Sequence, residues 1–161
     1  MIHGCLESDI TRIAENLSPQ VEQLAGKSIL FAGGGGFLGR YFSALFMHLN
    51  TRVLQKPCRA VMLDNFVSEN NKPFEEGEFE HVRFINHDVI QGYYSDERFD
   101  YVVQAAGIAS PYYYRAYPLE TIDVTITGTK NLLNIAHEDR ARFVFFSSSE
   151  IYGDPDPKHI P

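Results

Sequence analysis

Four consecutive glycines, Gly33 to Gly36, are followed by Phe37, Leu38 and Gly39. Before them stands Ser28 to Ala32 (SILFA), a short apolar run with the character of a buried strand. After them, across Leu38 to Leu49, the residues Leu38, Phe42, Leu45, Phe46 and Leu49 recur at helical spacing. A glycine turn that leaves a strand and opens a helix is the context of a dinucleotide-binding turn. Gly33, Gly36 and Gly39 stand three apart. The first permits a sharp turn off the strand. The second lets the backbone approach a pyrophosphate, and the third lets the helix pack close to the sheet. The unpaired N–H groups at such a helix start, aided by the helix dipole, face the phosphates.

Around this turn the pattern alternates. Arg59 to Leu63, Val82 to Ile85, Tyr101 to Ala105 and Arg142 to Phe146 are further apolar runs, and Pro118 to Glu138 reads as a long helix carrying Leu119, Ile122, Ile126 and Leu133. Continuous rather than alternating apolar strands imply a parallel sheet covered on both faces. Strands alternating with helices imply βαβ units. The expected fold is therefore α/β, a Rossmann-type doubly wound parallel sheet that stops after about its fifth strand. Residues 8–25 form a helical prefix, with Ile10, Ile13, Leu17, Val21 and Leu24 in one stripe. Ser18-Pro19 divides it into two helices, the serine as cap and the proline at the first helical position, and Gly26 closes the second. The expected organisation is an extension over 1–26 and a nucleotide-binding domain over 27–161. Asn65 to Glu80 reads as a solvated acidic loop, and Tyr112 to Tyr114 as an amphipathic loop or a stacking surface.

The end of the second strand checks the turn independently. Asp64, after Leu63 and before Asn65, can accept hydrogen bonds from both adenosine ribose hydroxyls. The same carboxylate repels a 2′-phosphate, and no arginine comes directly after it, so NAD is expected rather than NADP. Gly39 to Asp64 is slightly longer than the ~20-residue separation usual for the motif; the excess is placed at Asn50 to Pro57. Composition closes other routes. A net charge of −7 gives no basic field for nucleic acid, and 13% aromatics are too many for a disordered chain. No apolar stretch is long enough for a bilayer, and Met1 to Ile10 lacks the basic start and apolar core of a signal peptide. Cys5 and Cys58 make no disulfide framework, so the expected compartment is the reduced cytoplasm. No metal site is expected.

The turn GGGGFLG, then LDN, HDV, QAAG, GTKNLL and FSSSEIYGDP, resembles the extended short-chain dehydrogenase/reductase family, the NAD-dependent nucleotide-sugar epimerases, dehydratases and decarboxylases. The resemblance runs from about Lys27 to the last residue. Ala109-Ser110-Pro111 with Tyr114 and Pro118, and Ser148 to Pro155, look most like UDP-glucuronate decarboxylases; dTDP-glucose 4,6-dehydratases and 4-epimerases remain open. The resemblance implies NAD as cofactor and a nucleotide sugar as substrate. It implies that Gly33, Gly36 and Gly39 hold the pyrophosphate, with backbone N–H groups from Phe37 and Leu38. Asp64 and Asn65 would take the adenosine ribose, Asp88 and Val89 would flank the adenine, and Ala105, Ala106 and Gly107 would line the nicotinamide half. Ser148 would hydrogen-bond the sugar 4-oxygen, and Glu150 would assist chemistry beside C5. Ser110 and Tyr114 would lie on the substrate side. A homodimer packed through the helix at Pro118 to Glu138 is the assembly it implies.

One departure concerns the chemistry. The family uses a tyrosine base with a lysine four positions later. None of the nine tyrosines here has such a lysine. The expectation is a cofactor-binding part that does not itself turn substrate over, or else a non-catalytic NAD-binding module. Gln104, where many relatives have His, and Thr125, where many have Asn, are smaller departures.

Overall fold

The computed structural model describes residues 4–67 and 77–154. Its central strand is β1 (Ser28–Ala32), every residue of which is buried. Alternate residues of β1 point to opposite faces, and the two faces carry separate cores. Ile29 and Phe31 join a cluster with Ala44, Leu45, Phe46 and Leu49 of α2 (Phe37–Arg52). Leu30 and Ala32 join the other cluster, with Leu132 and Ala136 of α5 (Thr129–Asp139). A strand buried on both faces needs no polar alternation, which is why SILFA reads as an unbroken apolar run.

The remaining strands are β2 (Arg59–Asp64), β3 (Gly77–Phe79), β4 (Val82–Asn86), β5 (Tyr101–Gln104) and β6 (Arg142–Phe145). The sheet order is β3-β4-β2-β1-β5-β6, parallel except for β3 against β4. The five expected strands are all present in a Rossmann-like parallel arrangement. The connection from β1 to β2 runs through α2 on one face. That from β5 to β6 runs on the other face through α3 (Pro111–Ala116), α4 (Pro118–Asp123), a π-helical turn (Val124–Gly128) and α5. Connections leaving in opposite directions open a crevice at the C-terminal ends of β1 and β5.

The helical prefix is present as α1 (Gly4–Leu17) and a 3-10 turn at Gln20–Leu24. Ile10, Ala14 and Val21 are buried in the α2-side core. Pro19 sits at the cap of the 3-10 turn rather than at its first position. The spare residues between α2 and β2 are held by Asn50, whose side chain pairs with both backbone groups of Cys58 (2.9 and 2.8 Å). Burial raises the Cys58 thiol to about 11, so this cysteine is packing rather than a nucleophile.

Four local expectations change. The stretch from Asn65 to Glu80 is not all solvated loop, because β3 pairs with β4 through a two-residue turn. Glu80 and His81 both adopt positive φ there, the geometry of a type I′ hairpin; residues 68–76 lie outside the described residues. Tyr112 to Tyr114 lie in a helix, α3, begun by Pro111. Pro118 to Glu138 is not one regular helix, because the π turn at Val124–Gly128 interrupts it; its stripe of Leu119, Ile122, Ile126 and Leu133 is 45–71% exposed, and Leu132 and Ala136 make the inward contacts. The sheet is also not covered throughout, since Val144 and Phe145 of β6 are 39% and 48% exposed.

At the opposite end of the sheet from the crevice, Lys27 Nζ donates to Asp100 Oδ1 (2.9 Å), and Ser28 N donates to Asp100 Oδ2 (2.9 Å). The Lys27 hydrogen bond, followed by that from Ser28, holds the Asp100 carboxyl below its ordinary value; the same bond raises Lys27. A depressed carboxylate stabilises the fold above its unfolded pKa and loses that contribution as pH falls through its folded pKa. Asp100→Asn is therefore expected to lower the melting temperature near neutrality. Its deficit against the unaltered chain should vanish below the ordinary carboxylate range, as read from melting curves across acid pH. A constant deficit at every pH would show that charge is not involved.

Candidate functional site

The glycine turn fixes itself before any ligand is considered. Gly33 N and Gly34 N both donate to Leu63 O, at 2.8 and 3.0 Å. Gly35 N donates to Asp64 Oδ2 (2.8 Å), and Gly36 N donates to Gly33 O (3.3 Å). All four glycine N–H groups are thus used within the protein. A helix supplies no partner for its first N–H groups, so those of Phe37, Leu38 and Gly39, in the first turn of α2, remain as the donors at the crevice. Gly33 has φ +90°, open to glycine and costly for other residues. A Cβ on Gly39 would overlap the Gly33 carbonyl oxygen and crowd the Gly34 backbone, so α2 can approach the turn only here without a side chain. A Cβ on Gly36 would meet nothing closer than 3.5 Å. The protein itself does not exclude a side chain there; a ligand lying against the turn would.

Asp64 stands at the end of β2. Besides Gly35 N, its carboxylate accepts from Phe66 N through Oδ1 (2.8 Å). A carboxylate offers about four acceptor sites, enough to take a ribose hydroxyl beside these two amides. Next to it Asn65 Nδ2 donates to Asp88 Oδ2 (2.9 Å), while Asp88 Oδ1 caps the 3-10 turn Val89–Gln91 by accepting from Ile90 N (3.1 Å). This bridge links the loops after β2 and β4 across one end of the crevice. Ala105, Ala106 and Gly107 leave β5 at the other end, and the Ala105 carbonyl lies against Gly33.

One cleft therefore gathers Gly33, Gly36, Asp64, Asn65, Asp88, Val89, Ala105, Ala106 and Gly107. Gly39, Phe37 and Leu38 adjoin it in α2. Val89 differs in kind from the rest, since it is 5% exposed and belongs to the core as much as to the cleft. Ser110 stands at the N-cap position of α3 without a side-chain cap hydrogen bond, and Tyr114 lies within the helix. Ser148 comes after β6, and Glu150 is in the 3-10 turn Ser149–Tyr152; Ser110, Tyr114 and Ser148 are not among the residues lining the cleft. Three lining or supporting residues are not evident from sequence as site residues: His87, Glu120 and Gln104. His87 adjoins Asp88 in HDV, a usable signal. Glu120 has none, because only the path of α4 brings it to the cleft. The donors, the cradle at Gly36 and the acceptor at Asp64 suit a dinucleotide, with its diphosphate and vicinal hydroxyls.

Residues 29–161 match the NAD dependent epimerase/dehydratase family. The chain belongs to this family. Among curated relatives, UDP-glucuronic acid decarboxylase 1 of Danio rerio is 33% identical over 131 residues, which are 81% of this chain and 29% of that protein. UDP-glucuronic acid decarboxylase 2 of Arabidopsis thaliana is 32% identical over 134 residues, 81% of this chain and 27% of that one. The chain thus spans under a third of the length of these family members. Among solved structures, an epimerase from Methanothermobacter thermautotrophicus aligns with TM-score 0.61 and 24% identity over 81% of this chain and 38% of its own. The Bordetella bronchiseptica enzyme WbmF, solved with NAD+, aligns with TM-score 0.57 and 19% identity over 86% of this chain and 41% of its own. These likenesses confirm the Rossmann-like family fold. Among the described residues no cluster of His, Cys, Asp or Glu could hold a metal ion, and no helix is long and apolar enough to cross a membrane.

Proposed function

We propose that this chain is the NAD-binding part of an enzyme that modifies a nucleotide sugar, of the UDP-glucuronate decarboxylase kind. The observation that carries the reading is the pairing of the glycine turn with Asp64. A first helical turn offering N–H groups stands beside a carboxylate already braced by Gly35 N and Phe66 N. Gly33, Gly36 and Gly39, with the amides of Phe37 and Leu38, hold the pyrophosphate. Asp64 and Asn65 take the adenosine ribose, Asp88 and Val89 border the adenine, and Ala105 to Gly107 border the nicotinamide end. When bound, NAD supplies oxidation at the sugar C4 and its reversal. Ser148 donates to or accepts from the 4-oxygen, Glu150 moves a proton beside C5, and Ser110 and Tyr114 contact the sugar. The 33% identity to decarboxylases favours carboxylate loss over elimination as the step between the two hydride transfers.

Calorimetry tests the cofactor reading. NAD is expected to bind, and NADP about tenfold or more weakly, because the Asp64 carboxylate faces the added phosphate. Equal affinity for the two would remove Asp64 from the ribose site. Without a Tyr-x-x-x-Lys pair, this 161-residue polypeptide is expected to give no NADH-linked turnover of UDP-glucuronate. Turnover at an ordinary enzymic rate would show that another residue serves as the base.

A further inference from the structure

The helix over α4 and α5 is interrupted by a π turn at Val124–Gly128, and such turns are rare and frequently stand at functional sites. Here the turn touches both loops of the cleft. On one side Gly128 abuts the loop after β4. A Cβ at Gly128 would lie 2.7 Å from Val89 Cγ2, and Asn131 Nδ2, one helical turn on, donates to Val89 O (2.8 Å) and Ile90 O (3.1 Å). On the other side Gln104, at the end of β5 and 1% exposed, donates through Nε2 to Thr129 Oγ1 (3.1 Å) and to Val124 O (3.5 Å). Its Oε1 accepts from Ala106 N (3.0 Å). A fully buried amide is costly unless paired, and here each end has a partner, one in the helix and one in the cleft loop.

We propose that the π turn is a strut that sets the two loops of the cleft independently, and that Gln104 is a positioning residue for the nicotinamide half of the cofactor. This rests on the NAD reading above. Of the two loops Gln104 reaches only the one after β5, at Ala106 N, whereas Asn131 reaches only the Val89–Ile90 stretch beside Asp88. The two ends can therefore be disturbed one at a time. ADP, which ends at the diphosphate, reports on the adenosine end. NAD reports on both.

The test is calorimetry of the full chain with ADP and with NAD. Gln104→Met keeps the volume and removes the hydrogen bonds. It should weaken NAD about tenfold, the worth of roughly one hydrogen bond, and leave ADP within about twofold. Gln104→His should recover most of the loss, because neutral imidazole carries one donor and one acceptor. Thr129→Val, which leaves Gln104 in place and removes one partner, should repeat the NAD-selective loss if Gln104→Met folds poorly. Asn131→Leu should weaken ADP and NAD by equal factors. A residue that merely held the fold together would weaken both ligands alike, so parallel losses in Gln104→Met and Thr129→Val would overturn the proposal. So would unchanged NAD affinity in both. If the unaltered chain binds ADP and not NAD, the cofactor reading itself fails, and the proposal fails with it.

Discussion

Gly39→Ala is expected to abolish measurable NAD binding and to lower the melting temperature by about 10 °C. The new methyl group would fall on the Gly33 carbonyl oxygen and against the Gly34 backbone. No flexible side chain can move aside; either α2 shifts along its axis or the turn opens. Overpacking of this kind costs about 1–3 kcal/mol, occasionally more, and a chain of this size loses about 2–4 °C per kcal/mol. A shift of the first turn of α2 also displaces the Phe37 and Leu38 amides from the diphosphate. Gly36→Ala is the control, since its methyl would meet nothing closer than 3.5 Å in the protein. The Gly36 variant should melt like the unaltered chain and still lose NAD about tenfold or more, because only the ligand is crowded. Thermal melts and NAD titrations of the two variants separate the architectural glycine from the binding one. Normal melting and normal NAD affinity in Gly39→Ala would refute the close-approach argument.

Asp64→Ala is expected to weaken NAD about a hundredfold, near 2.7 kcal/mol, and to abolish the preference for NAD over NADP. Two losses combine. The ribose hydroxyls lose their acceptor, and the part-buried amides of Gly35 and Phe66 lose theirs at 2.8 Å each. A part-buried donor left without a partner costs about 1–3 kcal/mol, so the turn should loosen and the melting temperature fall by several degrees. Phe66 sits at φ +54°, and the hydrogen bond its amide donates to Asp64 Oδ1 is part of what holds it there. Asp64→Asn keeps one oxygen acceptor and should fall between. The ratio of NAD to NADP affinity decides whether the carboxylate reads the ribose. A ratio unchanged in Asp64→Ala would mean that it serves the turn alone.

The parts legible in the sequence are those whose cause is local. β1 to α2 can be read because a buried strand, a glycine turn and an amphipathic helix succeed each other within 25 residues, Ser28 to Arg52. Asp64 can be read because the end of a strand fixes where its side chain stands. β3 is not legible, since its hairpin turn is Glu80-His81 rather than Asn-Gly, and neither residue advertises a positive φ. The inward contacts of the last helix are not legible for a different reason. The stripe of Leu119, Ile122, Ile126 and Leu133 is apolar, yet the sheet is met by Leu132 and Ala136, and the π turn rotates one part of the helix against the other. Gln104 can be noticed but not interpreted, because two of its three partners lie 20 and 25 positions away.

The hydrogen bonds inside the glycine turn bear on how a ligand would arrive. Leu63 O, Asp64 and Gly33 O already engage every amide of the four-glycine run. A loop so rich in glycine would otherwise sample many shapes and would have to be frozen at the moment of capture. Here that ordering belongs to folding. Association becomes a matter of collision and orientation rather than of rearrangement, and heat released on binding reports the contacts made instead of a loop being tamed.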